Sequence, residues 1–262
     1  MTLIVSAISD FGVVQASDSN IVQSLPVAAT TDGEKVFGLP FAPAAIAVAG
    51  TYRVGILRMD EWMPSAIADF QVGTSVNPVG AFAEYLATRL ENELTERQWG
   101  EPTVLQIVGY EGDAKNSQHP VLYHLRNVDR IDPNTGNYVG ISNKFQVTED
   151  FWLRDHDPVR SPGAHNQFRV QFYFNGSTAG RTVFGRHLIE MFGIIWSDAS
   201  NEFRSPRNLY ELTEFMKILI QTIGTLYSIS DYVMRPVGGP PQMWAIPQPN
   251  GAVELWAEAK AT

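Results

Sequence analysis

The chain has 262 residues, 44% of them hydrophobic and 18% charged, with a net charge of -9. This length and balance suit one large globular domain with a substantial core and exclude wholesale disorder; the acidic balance, with no basic run, argues against a nucleic-acid partner, whose phosphates are held by Lys and Arg. The absence of cysteine removes disulfides, thiol nucleophiles, thiolate zinc sites and iron-sulfur clusters and suits a reducing cytoplasm, while the lack of a membrane-length apolar run or a signal-peptide pattern predicts a soluble, cytoplasmic protein with no membrane partner.

The first predicted element is a hairpin. Two β-rich runs, Thr2 to Ile8 and Val13 to Asp18, flank the polar turn Ser9-Asp10-Phe11-Gly12, which brings Thr2 and Asp18 to the same end. Once Met1 is removed, Thr2 carries a free α-amine beside its own hydroxyl. An α-amine with a pKa of about 8 accepts the hydroxyl proton as the oxygen attacks a carbonyl, so one residue supplies nucleophile and base. Ile21 to Thr31 is a β-prone but irregular connection, and Asp32-Gly33-Glu34 turns into Lys35 at the start of the next strand. Phe41 to Gly50 is apolar throughout and reads as a strand buried on both faces.

Tyr52 to Phe70 and Pro78 to Arg97 both carry apolar residues at helical spacing, with Pro64 expected to kink or interrupt the first. Thr103 to Gly109 and Val121 to Leu125 are predicted strands joined by a polar loop over 111–120. From Arg126 to Gln167 the pattern weakens, leaving Ile141 to Val147 and Phe151-Trp152-Leu153 as short strands or an edge ribbon. Asp155-His156-Asp157 is read as a solvated loop, because adjacent side chains point in different directions and cannot converge on a metal. Phe168 to Phe174 is a strand running into Asn175-Gly176-Ser177, and helices are predicted over Thr182 to Phe192 and Leu209 to Tyr227. After Gly238-Gly239, Met243 to Ile246 and Ala252 to Trp256 close a last hairpin about Pro249-Asn250-Gly251. No cofactor and no metal is expected.

Thr2, Asp18, Lys35 and the Ala49-Gly50 pair, in one register, resemble the opening of a proteasome β subunit or its bacterial relative HslV, members of the N-terminal-nucleophile hydrolases. Such chains begin with threonine, place an aspartate sixteen residues later, as here, and follow with a lysine before a hydrophobic strand, here one residue late. The resemblance implies an α+β fold, a four-layer αββα sandwich of two antiparallel sheets, with residues 2–262 as a single domain and 126–167 as an insertion. It implies Thr2 as nucleophile, Asp18 and Lys35 as the charges that lower its hydroxyl pKa, the Gly50 N–H as half of an oxyanion hole, and Ser177 orienting the amine. Val48 and Ile21 fall at substrate-binding positions. One departure stands out: the serine and second aspartate of the pattern fall on Val237 and Met234, which cannot hydrogen-bond, and Asp231 substitutes only if that loop is reshaped.

The activity implied is that of a threonine peptidase acting through an acyl-enzyme. The expected partners are a peptide or unfolded protein, further copies of the chain in a homo-oligomer such as a ring, and an ATP-dependent unfoldase. Two other readings stay open: an amidase for a small molecule, with the insertion covering the site, and a catalytically silent assembly subunit.

Overall fold

The opening hairpin forms with Leu3–Ser9 (β1) antiparallel to Gly12–Ser17 (β2), Ile4 opposite Ser17 and Ser9 opposite Gly12. The computed structural model describes residues 2–9, 11–22, 30–73, 77–113, 116–132, 138–149, 170–176, 186–197, 203–229 and 237–249. Asn20–Val22 (β3) and Thr30–Asp32 (β4) pair with each other, so the irregular connection contains a small ribbon. Val36–Leu39 (β5) and Ala44–Gly50 (β6) follow.

Residues 52–70, predicted as one helix, divide. Arg53–Val54 (β7) and Leu57–Arg58 (β8) form a two-stranded turn, and the helix begins at Met59, running to Asp69 (α1). Pro64 does not break it: the residue is exposed, so the hydrogen bond its ring nitrogen cannot make lies toward solvent. Pro78–Glu93 (α2) ends four residues before the predicted Arg97 and buries Phe82, Leu86 and Leu90 at helical spacing.

Thr103–Asp113 (β9) and Asn116–Ile131 (β10) absorb the segment predicted as a polar loop, with Tyr110 opposite Pro120 and Glu111 opposite His119. The polarity that suggested a loop has an internal use. Glu111 is buried, accepting from the Gly80 N–H at 2.7 Å and the Tyr123 hydroxyl at 2.8 Å. Tyr138–Glu149 (β11) contains the expected edge strand, while residues 150–169, including Phe151-Trp152-Leu153 and Asp155-His156-Asp157, lie outside the described residues. Val170–Gly176 (β12), Arg186–Ser197 (α3), Leu209–Ser228 (α4) and Gln242–Pro247 (β13) complete the described elements.

One sheet has the order β12-β1-β2-β13 and the other β11-β10-β9-β6-β5, every pair antiparallel. Side chains alternate along each strand and divide between two interiors. Leu3, Val5, Val14 and Phe172 pack with α3 and α4, whereas Ile46, Val48, Leu105 and Ile107 pack with α1 and α2. Between the sheets, Val13, Tyr173 and Ile246 of the first meet Ala45, Val108 and Leu122 of the second. The result is the expected four-layer αββα sandwich. No described helix is long and apolar enough to cross a membrane.

The inter-sheet layer also holds polar side chains. Ser6 donates to Gln15 at 2.6 Å, and His124, fully buried on β10, lies opposite Gln106 of β9. Burial, with Arg126 close by, lowers the His124 pKa from 6.5 to about 3. The unfolded chain therefore takes up this proton at a higher pH than the folded one, and stability falls as pH drops from about 6.5 toward about 3. Between about pH 6 and about pH 4, wild type should lose about 2 kcal/mol more than His124→Gln, measured by urea unfolding at both values.

Candidate active site

The hairpin register delivers Asp18 to the residue beside Thr2. The Leu3 N–H donates to Asp18 Oδ1 at 2.8 Å, and the Asp18 N–H returns to the Leu3 carbonyl at 3.4 Å. The Ser17 hydroxyl reinforces this end of the hairpin by donating to the same carbonyl at 3.0 Å. Asp18 has no exposed surface, and its second oxygen accepts from the N–H of Asn20 at 3.2 Å, the N–H of Gly238 at 3.3 Å and Lys35 Nζ at 3.3 Å.

Lys35 is buried at 1% exposure, and its Nζ also donates to the Asn20 carbonyl. Burial is the largest influence on both groups, pushing the Lys35 pKa down and the Asp18 pKa up; each partner's charge opposes the shift of the other. Asp32 adds a second negative charge that favours the ammonium. It is exposed and accepts from the Ser19 hydroxyl at 2.9 Å. Donors surround the carboxylate and acceptors surround the amine, the arrangement of an ion pair held dry.

The main chain of Lys35 is fixed from the far end of the sequence. The Gln242 amide at the start of β13 accepts from the Lys35 N–H at 2.7 Å and donates to the Gly33 carbonyl at 2.8 Å. Both halves of the amide are used, so the turn before β5 is held at two points.

Thr2 is 7% exposed. Its carbonyl oxygen lies so close to Gly176 that a Cβ there would sit 1.9 Å from it, and Gly176 has φ 88°, which also favours glycine. The Ala49 methyl lies 3.5 Å from that same point, so the ends of β1, β6 and β12 meet. Gly50, the last residue of β6, is exposed with φ 101°, and any side chain would strike the Pro102 carbonyl. Thr2, Asp18, Lys35 and Gly50 thus share one end of the sandwich.

The other predicted positions differ. Val48 is 2% exposed and packs among the apolar residues facing α1 and α2. Ile21 is half-buried on β3, its Cδ1 directly over Gly33. Ser177, Asp231 and Met234 lie outside the described residues. Val237 is 1% exposed in the apolar cluster beneath α3 and α4. Its neighbour Gly238 supplies a main-chain donor to Asp18, so this loop reaches the pair without a polar side chain.

Sequence reasoning missed Gln242, Tyr138 and the second acid, Asp32. Only Asp32 had a local signal, as the first residue of the turn before Lys35. Among the described residues no group of three or more His, Cys, Asp or Glu could hold a metal.

No family model and no curated protein matches the chain. Solved structures do. A mutant of Anbu from Hyphomicrobium sp. strain MC1 aligns over 95% of this chain and 83% of its own, at 11% identity and TM-score 0.47. Anbu from Yersinia bercovieri, described as an ancestral beta-subunit, aligns over 96% and 84%, at 13% identity and TM-score 0.48. The helical assembly of the Anbu complex from Pseudomonas aeruginosa aligns over 99% and 90%, at 14% identity and TM-score 0.47.

These matches correct the sequence resemblance: the similar structures are Anbu chains, and the assignment to the proteasome β-subunit or HslV-like family does not stand. The physical reason is that the spacing from Thr2 to Asp18 follows from hairpin register, and that from Lys35 to Gly50 from two adjacent strands. Such spacing reports backbone geometry rather than a particular branch.

Removing one member of the buried pair strands the other. Lys35→Met and Asp18→Asn should each destabilise the fold by about 3–5 kcal/mol, and the double variant by clearly less than their sum. Urea unfolding of the three variants checks both statements.

Proposed function

We propose that the chain is an amide hydrolase whose nucleophile is the hydroxyl of Thr2, exposed as the N-terminal residue after Met1 is removed. The observation that carries this reading is the buried Asp18–Lys35 pair, tied to the adjacent Leu3 N–H at 2.8 Å. A buried ion pair is costly and adds little stability for its own sake, so its position beside a hydroxyl and a prospective α-amine favours chemistry.

In the proposed reaction the Thr2 Oγ attacks the amide carbonyl and its proton passes to the Thr2 α-amine. The Lys35 ammonium lowers the hydroxyl pKa by Coulomb attraction, and Asp18 holds that ammonium in place. The Gly50 N–H, at the open end of β6, stabilises the oxyanion. The α-ammonium then protonates the departing amine, leaving an ester on Thr2. Water, deprotonated by the same α-amine, hydrolyses the ester and regenerates the hydroxyl. Ser177, next to Gly176, is assigned to orienting the amine, while Val48 and Ile21 back the substrate site from beneath β6 and from β3.

The substrate favoured is a peptide. An extended backbone meets main-chain groups at Gly50 and along the neighbouring strand ends, whereas a small amide needs a closed pocket. Exposed apolar side chains on α3, Met191 at 45% and Ile194 at 71%, support self-association of copies as part of the same reading.

A peptide epoxyketone tests the nucleophile and base together, because its ring closure uses both the hydroxyl and the free amine of an N-terminal threonine. Intact mass should show a stoichiometric adduct on a chain lacking Met1. Thr2→Ala should form no adduct and lose at least about a thousand-fold in peptide hydrolysis with its unfolding midpoint unchanged, whereas Thr2→Ser should keep the adduct. A chain that retains Met1 and takes no adduct overturns the reading.

A further inference from the structure

Strand β11 has so far had no part in the site, yet its first residue reaches it. Tyr138 opens β11, the edge strand of the second sheet, and its hydroxyl crosses to the end of β12, the edge strand of the first. The hydroxyl donates to Asn175 Oδ1 at 2.5 Å and accepts from the Gly176 N–H at 3.1 Å. The Gly176 N–H is shared with Asn175 Oδ1 at 2.7 Å, closing a small ring of hydrogen bonds on one peptide group.

Gly176 stands opposite Leu3 in the ladder, and Leu3 directs its own N–H and carbonyl to Asp18 on the other side. The main-chain groups of an antiparallel strand alternate in direction, so those of Thr2 turn toward β12. The Gly176 N–H, by the same alternation, points out of the sheet, where no further strand lies among the described residues. A lone N–H at an edge is satisfied by water or by a side chain from elsewhere in the fold. Here Tyr138 and Asn175 take it.

We infer that Tyr138 is a positioning residue for the Thr2 nucleophile: by tying the Gly176 peptide to the second sheet, it fixes the strand end against which the Thr2 carbonyl is seated. Only glycine fits at 176, so Gly176 has no side chain to anchor itself, and the contact with the Thr2 carbonyl passes any shift of that peptide directly to Thr2. The hydroxyl of Tyr138 joins the two sheets at this point, and β11 thereby serves the reaction. The inference rests on the proposed role of Thr2.

The test compares wild type and Tyr138→Phe, which keeps the ring and removes only the hydroxyl. Three quantities are read: the saturating rate of adduct formation with the peptide epoxyketone, the probe concentration giving half that rate, and amide hydrogen exchange at Gly176. Tyr138→Phe should slow the saturating rate about ten-fold and speed Gly176 exchange about ten-fold, with half-saturation and melting temperature little changed. A saturating rate or Gly176 exchange equal to wild type overturns the inference while leaving the nucleophile in place. A slower rate together with a higher half-saturation concentration and a lower melting temperature overturns it as well, since that pattern marks a structural role only. Wild type that takes no adduct instead removes the proposed function, and with it anything for Tyr138 to position.

Discussion

A charge pair removed from water organises this end of the molecule. Placing Asp18 and Lys35 at 0% and 1% exposure carries a desolvation cost that their attraction alone does not reliably offset. The remainder comes from three backbone N–H groups on the carboxylate and a carbonyl on the ammonium. The three N–H groups belong to different structural commitments: the β1–β2 register, the entry to β3, whose Asn20 also supplies the carbonyl, and the loop that leads to β13. A shift in any of them leaves a buried charge short of a partner, so the pair makes the surrounding backbone rigid as well as charged.

The same rim brings main chain unusually close to main chain. Gly50 against the Pro102 carbonyl and Gly176 against that of Thr2 are contacts no other residue could make. They allow three strand ends to converge without intervening side chains, leaving N–H groups and carbonyls as the local chemistry. The polar layer between the sheets, with Ser6, Gln15, Gln106 and His124, continues that character inward. The two larger apolar clusters lie in the helix-facing layers, with a smaller one between the sheets.

Most of this architecture was legible in the residues. The alternation about Ser9–Gly12 gave the hairpin, and its register placed Asp18 beside Thr2. The helices predicted over Pro78 to Arg97 and Leu209 to Tyr227 correspond to α2 and α4 of the outer layers. The misreadings have local causes. Glu111 looks like loop because a carboxylate that caps α2 from inside the sheet is still a carboxylate in the sequence. Residues 53–58 look helical because a two-residue strand pair is too short to show a period. Val237 stands where the resemblance implies a serine and its side chain belongs to the core, while the adjacent Gly238 N–H reaches Asp18, a main-chain contact that no side-chain pattern shows. Gln242 and Tyr138 were illegible for a stronger reason: each meets its partners across sheets, at sequence separations of 207 and 38 residues, and no local pattern encodes such a meeting.

The position of Gln242 also sets an order of events during synthesis. Thr2 and Asp18 leave the ribosome early and can pair as a hairpin at once, but the amide that seats Lys35 lies in β13, the last strand described. A partly made chain therefore carries the opening hairpin without a seated lysine, and the carboxylate lacks the Gly238 N–H until the same late stage. The surroundings of the pair are complete only when β13 docks beside β2. Completion of the sheet thus acts as a timer for the buried pair, whose charges keep their water until the last strand arrives.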